Sequence, residues 1–105
     1  MTTDRELLER AAKAAGLEVE FMPLSGANIL SGPSAGLWRP LEDDGDAMRL
    51  AVMLRIDVLH DDPRDNDAWV MAGGLEHVED VDGEGSRPAA TRRAIVRAAA
   101  AMARA

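Results

Sequence analysis

The chain has 105 residues, 47% of them hydrophobic and 3% aromatic, which suits one globular domain with a core of Ala, Leu, Val, Ile and Met. It contains no cysteine, which excludes disulfides, thiolate catalysis and zinc–thiolate sites. The net charge is −7, and residues 86–105 hold five arginines and no acidic residue, so residues 1–85 carry −12; this acidity argues against general nucleic-acid binding.

The first thirty residues predict a helix followed by a β-hairpin. Thr3 and Glu6 have the spacing of a capping box, and Gly16 suits the left-handed position that ends a helix, so we expect a helix over residues 4–15. Residues 17–22 alternate apolar and polar side chains, which is typical of a strand with one exposed face. The segment SGANILSG predicts the return strand, and PSAGLWRPL, residues 33–41, predicts a loop.

Four carboxylates between residues 42 and 46 mark the start of a second helix. Asp43 can serve as the N-cap and Asp46 as the third helical residue, where both carboxylates lie at the positive end of the helix dipole. An apolar stripe then follows at helical spacing: Ala47, Leu50, Ala51 and Leu54. The acidic run is therefore explained by helix formation, without a functional role.

The remaining residues predict three strands and a third helix. Ile56–His60, Trp69–Ala72 and Leu75–Val81 should form an antiparallel meander because short turns join them. DGEGS, residues 82–86, predicts a flexible loop, and the last helix, 87–103, has Pro88 in its first turn and a face of small residues. The order α-β-β-α-β-β-β-α predicts one α+β domain over residues 1–105, with an antiparallel β-sheet layered between helices.

Two segments give the chain a family likeness. LWRPLEDDGDAMRLAVMLRIDV and AATRRAIVRAAAAMA resemble the phage ABA sandwich domain family, a group of small uncharacterised phage and prophage proteins, through Trp38, Pro40, Leu41, Asp43, Asp46, Ala47, Ala90, Thr91, Arg92, Ala94 and Ile95. The pattern ELLERAAKAAGLEVEF extends this resemblance over nearly the whole chain. The resemblance implies a sheet layered between helices, a phage or prophage origin and a bacterial cytoplasm. It carries over no catalytic residue.

Two sets of side chains were weighed as chemical sites. The acidic turn with His60, Asp61, Asp62, Asp65 and Asp67 has oxygen ligands that suit Ca²⁺ or Mg²⁺, but its spacing is not that of an EF-hand, and Asp and Asn are ordinary turn residues. His60 and His77 fall on strands that are neighbours or next-neighbours, yet no nucleophile–base arrangement surrounds them. We therefore expect no metal, no cofactor and no catalytic residue.

The candidate interaction surface consists of five residues: Trp38, Arg39, Arg92, Arg93 and Arg97. Trp38 and Arg39 are of the types enriched at binding hot spots, although with so few aromatic residues Trp38 is better placed in the core. Arg93, Arg97 and Arg104 fall on one side of the last helix with Arg92 adjacent, and these arginines either pair with the acidic body or meet a partner. A small-residue helix also suits a homodimer.

Together these features favour a non-enzymatic accessory or protein-binding module whose partner is a protein: a second copy, or a host or phage protein. No nucleic-acid partner is expected, because the chain is acidic overall. No membrane partner is expected either, because the chain has no apolar run long enough for a membrane span and MTTDRELLER has no signal-peptide pattern. The alternative is an acidic decoy that mimics nucleic acid and binds a basic host protein. A small enzyme that uses His60 or His77 is the least favoured reading.

Overall fold

The computed structural model describes residues 3–22, 26–30, 35–64, 67–74 and 77–103. These ranges form an α+β fold whose elements are α1 (Asp4–Ala14), β1 (Val19–Met22), β2 (Gly26–Ile29), β3 (Gly36–Leu37), α2 (Asp44–Leu54), β4 (Val58–His60), β5 (Trp69–Ala72), β6 (Val78–Asp80), α3 (Val81–Glu84) and α4 (Arg87–Ala101). The order is the predicted one with two additions, β3 and α3.

The three long helices begin at side chains that bond to the backbone of the first turn. The Thr3 hydroxyl accepts a hydrogen bond from the Glu6 N–H at 3.2 Å, and Asp43 Oδ2 accepts one from the Asp46 N–H at 2.8 Å. The Ser86 hydroxyl does the same for α4, which has Pro88 in its first turn. Each bond satisfies a backbone donor that the helix itself leaves without a partner. The predicted starts of all three helices are confirmed.

The strands form two three-stranded antiparallel sheets in the described residues, instead of the one sheet that the sequence predicted. Sheet A has the order β1-β2-β3, and sheet B has the order β4-β5-β6. The predicted hairpin is β1 with β2, and the predicted meander is sheet B, so both are confirmed. The segment at residues 33–41 was predicted as a loop, which is wrong for Gly36–Leu37. Two residues are too few to show a strand alternation.

Helix α4 lies at the centre of the molecule and packs against α1, α2 and sheet B. Its buried residues face several directions and are mostly alanine: Ala90, Ala94, Ile95, Val96, Ala98, Ala99 and Ala100. They join one hydrophobic core with residues of α1, α2, β2 and β5, including Leu50 and Val70. Small side chains allow three elements to approach one helix closely.

Helix α4 lies close to the chain at Gly73, directly after β5. Gly73 has φ +66°, and a Cβ atom on it would lie 2.9 Å from the Cβ of Ala98. That separation is far below an ordinary carbon–carbon contact of about 3.5–4.0 Å. A glycine is therefore required here both by the backbone conformation and by the nearness of α4.

Sheet B is covered by α4 on one face only. Val70, Ala72 and Glu79 face α4 and are buried. The opposite face, called here the outer face of sheet B, carries Leu59, Trp69, Met71 and Val78, because directly paired residues share a face. No helix of the described residues covers it, since Leu59 and Val78 are 56% and 43% exposed. The predicted layering of a sheet between helices is thus not confirmed.

The segment after β6 was predicted as a flexible loop and instead begins with a single helical turn. In α3, the Asp80 carboxylate accepts a hydrogen bond from the Asp82 N–H at 3.2 Å, and Gly85 ends the turn with φ +89°. The glycines in DGEGS favour a loop, so the sequence pattern did not indicate this cap. In the described residues, no helix combines the length and the apolar character that crossing a bilayer requires.

Candidate interaction surfaces

The arginines of α4 point to different neighbours and each meets a carboxylate. On one side, Arg87 Nη2 lies 2.6 Å from Asp61 Oδ1, in the segment after β4. Towards α2, Arg92 Nη1 lies 2.6 Å from Asp44 Oδ1, and its Nε donates to the Leu41 carbonyl at 3.0 Å. The hydrogen bond and charge of Arg87 hold the pKa of Asp61 below its ordinary value.

Arg93 and Arg97 lie on another side of α4. Arg93 Nη1 lies 3.0 Å from Asp4 Oδ1, and its Nε lies 3.2 Å from Glu84 Oε2. Arg97 Nη1 lies 3.0 Å from Oε1 of Glu79, whose residue is only 6% exposed. Burial raises the pKa of Glu79, and the positive charge of Arg97 opposes this rise.

These contacts decide between the two interpretations of the basic helix. The prediction that its arginines pair with the acidic body is confirmed for the four that the structure describes, and Arg104 lies outside the described residues. Arg92 is directed to α2, away from Arg93 and Arg97, so the arginines do not form one basic face. They act as ties from the central helix to the elements around it.

Trp38 packs in the core, as the low aromatic content of the chain led us to expect. It is 4% exposed, and its backbone N–H donates to the Ala27 carbonyl at 2.9 Å. The neighbouring Arg39 is exposed, and its backbone N–H donates to Asp46 Oδ2 at 2.9 Å. These two backbone hydrogen bonds join residues 38–39 to sheet A and to α2, while the Trp38 side chain belongs to the hydrophobic core.

A cleft of about 720 Å³ brings together Trp38, Arg39 and Arg93 from the predicted interaction surface. Arg92 and Arg97 lie elsewhere. The charges in the cleft are matched within the chain: Arg93 with Asp4 and Glu84, Arg39 with Glu42 at 3.8 Å. A ligand in this cleft would have to compete with these pairs.

The two histidines lie on opposite sides of the central strand β5, His60 on β4 and His77 directly before β6. His60 stands opposite Val70 on β5, whereas the His77 carbonyl accepts from the N–H of Ala72. Two strand spacings and an offset of two residues give a separation of about 12 Å. His60 Nδ1 instead lies 3.0 Å from Arg87 Nη1.

In the described part of the acidic turn, two carboxylates form ion pairs with arginine side chains. Asp61 pairs with Arg87, and Asp62 Oδ2 lies 2.8 Å from Arg64 Nη2, whose hydrogen bond lowers the pKa of Asp62. Among the described residues, no three His, Asp or Glu side chains are grouped as metal ligands would be. Asp65 of the predicted set lies outside the described residues.

Helix α2 carries apolar side chains on its solvent side as well as towards the core. Met48, Val52 and Met53 are 59%, 68% and 51% exposed, and Leu37 beside them is 50% exposed. Together they line a groove of about 690 Å³ between α2 and β3. The apolar stripe predicted for α2 covers only its core side, but the apolar residues at 48, 52 and 53 indicate that this helix is apolar on more than one side.

No protein-family model, no curated protein and no solved structure matches this chain. The resemblance to the phage ABA sandwich domain family therefore stays a prediction, carried by the motifs around Trp38 and Arg92. Function has to be argued from the surfaces described above.

Proposed function

We propose that this protein is a non-enzymatic protein-binding module and that the outer face of sheet B is its docking surface. The observation that carries the proposal is a row of apolar side chains across all three strands. Leu59 stands opposite Met71, and Met71 stands opposite Val78, with Trp69 on the same face. Leu59 and Val78, at the two ends of the row, are 56% and 43% exposed, whereas Trp69 and Met71 are part-buried.

An uncovered apolar row of this kind favours association. Burying apolar surface yields about 25 cal/mol per Å² removed from water, and aromatic anchors such as Trp69 contribute strongly at interfaces. Contiguous apolar patches larger than a few hundred Å² are uncommon on monomeric proteins and mark interaction sites. A partner that covers Leu59 and Val78 would supply the second layer that the sequence pattern led us to expect.

The partner that fits this face is an amphipathic helix with basic residues beside its apolar stripe. Two exposed carboxylates border the row: Asp57, two residues before Leu59, and Asp80, two residues after Val78. Lysine or arginine on the partner would meet them, while its apolar stripe covers the strands. The family resemblance, which is the only support for a phage or prophage origin and a bacterial cytoplasm, makes the partner a host or phage protein.

The alternatives have less support. An acidic decoy needs a continuous acidic surface, but Asp44, Asp61 and Glu79 are each paired with an arginine of α4. An enzyme based on the histidines needs His60 and His77 near one another, and they lie about 12 Å apart.

The test compares two matched double variants. Leu59→Lys with Val78→Lys changes the outer face of sheet B, where the side chains are 56% and 43% exposed. Leu30→Lys with Met22→Lys is the control, because these residues are 53% and 43% exposed and lie on or beside sheet A. Both variants add two positive charges at equally exposed apolar sites.

Two measurements use these variants. The first titrates each protein with a synthetic amphipathic helix of leucine and lysine and follows tryptophan fluorescence, to which Trp69 and the buried Trp38 both contribute. Binding is expected for the wild type and the control only. The second captures proteins from a bacterial lysate at low and high salt and identifies them. A protein held by the wild type and the control, but not by L59K/V78K, supports the proposal. Equal binding to all three refutes it, and a basic DNA-binding protein that L59K/V78K also holds would favour the decoy.

A further inference from the structure

We propose that α2 is also a self-association surface, through which two copies of the chain pair antiparallel about a twofold axis. The residues concerned lie along the exposed side of the helix and are called here the α2 ridge: Asp44, Met48, Val52 and Arg55. The ridge is separate from the outer face of sheet B, so this proposal stands or falls independently of the proposed function.

The apolar centre of the ridge is self-complementary. Met48 and Val52 are four residues apart and so lie on one side of the helix, 59% and 68% exposed. An axis that passes between them places Met48 of one copy against Val52 of the other, twice. Isologous pairing of this kind is the common arrangement of homodimers.

The shape around the ridge suits a second helix. A groove of about 690 Å³ runs between α2 and β3, and another of about 320 Å³ runs between α2 and α4. Met48 borders both grooves. Helices pack by placing the ridges of one into the grooves of another. Leu37 and Met53, about half exposed, extend the apolar area towards the roughly 800 Å² per partner that a stable interface buries.

The charged residues at the two ends of the ridge are placed so that the same twofold axis would bring opposite charges together. Asp44 and Arg55 are eleven residues apart, about 16 Å along the helix, and their midpoint falls within half a residue of the midpoint of Met48 and Val52. An antiparallel copy therefore brings Arg55 of each chain to Asp44 of the other. Asp44 is 74% exposed and meets Arg92 through Oδ1, which leaves Oδ2 for a second guanidinium.

Arg55 has features that this pairing would explain. It makes no ion pair with any described residue. It is also the one non-glycine residue with positive φ in the described ranges, with φ 55° and ψ 46°. Glycine usually occupies such a position at a helix end. An exposed arginine held in this conformation is consistent with a role for its side chain beyond the monomer.

The test is sedimentation equilibrium of the full chain at concentrations up to about 500 µM, a range that detects weak dimers. We expect a dimer for the wild type and for the control variant Leu30→Lys, and at least about tenfold weaker pairing for Val52→Lys and for Met48→Glu. The double variant M48E/V52K should recover the dimer, because each new glutamate then faces a lysine of the other copy. Circular dichroism of each variant verifies that it is folded.

Cysteine cross-linking tests the register, since the chain has no native cysteine. Mixed in equal amounts, Met48→Cys and Val52→Cys proteins should form the mixed disulfide in more than the twofold excess over either homodimer that random pairing gives. A wild type that stays monomeric throughout, a dimer that survives Val52→Lys, or a dimer lost only in L59K/V78K would each overturn the proposal.

Discussion

Replacing Gly73 by alanine tests the close packing of α4 against the end of β5. Gly73 follows β5 with φ +66°, and the new Cβ would lie 2.9 Å from the Cβ of Ala98. Ala98 is 3% exposed in the central helix, so it has no room to move away. The substitution therefore combines backbone strain with a steric clash.

The expected loss can be estimated from these two terms. An L-residue in the left-handed region costs about 1–2 kcal/mol, and forcing an extra methyl group into a packed contact costs about 1–3 kcal/mol. The sum of about 2–4 kcal/mol is a large part of the roughly 5–15 kcal/mol that stabilises a typical domain. At about 4–8 °C per kcal/mol for a domain near this size, the melting temperature should fall by at least about 8 °C.

The matched control is Gly16→Ala. Gly16 has φ +71°, close to the +66° of Gly73, but a Cβ on it would meet nothing within 4 Å, so this variant carries a similar strain without the clash. Urea and thermal unfolding followed by far-UV circular dichroism would measure both variants, together with G73A/A98G, which removes the clashing methyl group. If Gly73→Ala costs no more than Gly16→Ala, or if A98G recovers none of the difference, α4 does not lie this close to sheet B.

Three further predictions concern single residues. Burial raises the pKa of Glu79 above its ordinary value of 4.5, so the folded wild type holds this proton more tightly than the unfolded chain does. The stability of the wild type relative to Glu79→Gln should therefore fall as the pH rises above about 4.5. Urea midpoints of the two proteins that differ by the same amount at every pH would contradict this. Arg55→Gly should raise the stability of the monomer, by up to about 1 kcal/mol, because glycine adopts φ 55° without strain; the check is urea unfolding at a dilution that excludes pairing, and an unchanged midpoint would count against strain at this position. Trp38→Ala should cost about 3–5 kcal/mol as a core truncation, whereas a near-neutral result in thermal unfolding would place the indole at the surface.

The parts of the fold that the sequence predicted correctly depend on neighbouring residues. Thr3 and Asp43 cap helices through backbone groups three residues away, so their spacing alone identifies the helix starts. The strand Trp69–Ala72 was predicted with the bounds that the structure gives it, because glycines and a polar turn delimit a short apolar run. Local chemistry fixes elements of this kind.

The parts that the sequence did not predict depend on contacts between distant residues. β3 is a strand only because Leu37 pairs with Asn28, nine residues earlier in the chain. The charge imbalance indicated that the arginines of α4 would pair with carboxylates. It could not identify the partners, because residues such as Arg93 and Asp4 are 89 positions apart in the sequence. The division into two sheets, which leaves one face of sheet B uncovered, likewise follows from three-dimensional packing.

The central position of α4 has a consequence for how the protein is made. α4 is the last described element along the chain, yet α1, α2 and sheet B all bury their apolar faces against it. A ribosome releases those elements first, and they have nothing to fold around until residues 87–101 emerge. Closing such long loops is slow relative to local structure formation. The nascent chain should therefore hold its apolar segments open to chaperones, and to aggregation, until the final helix completes the core.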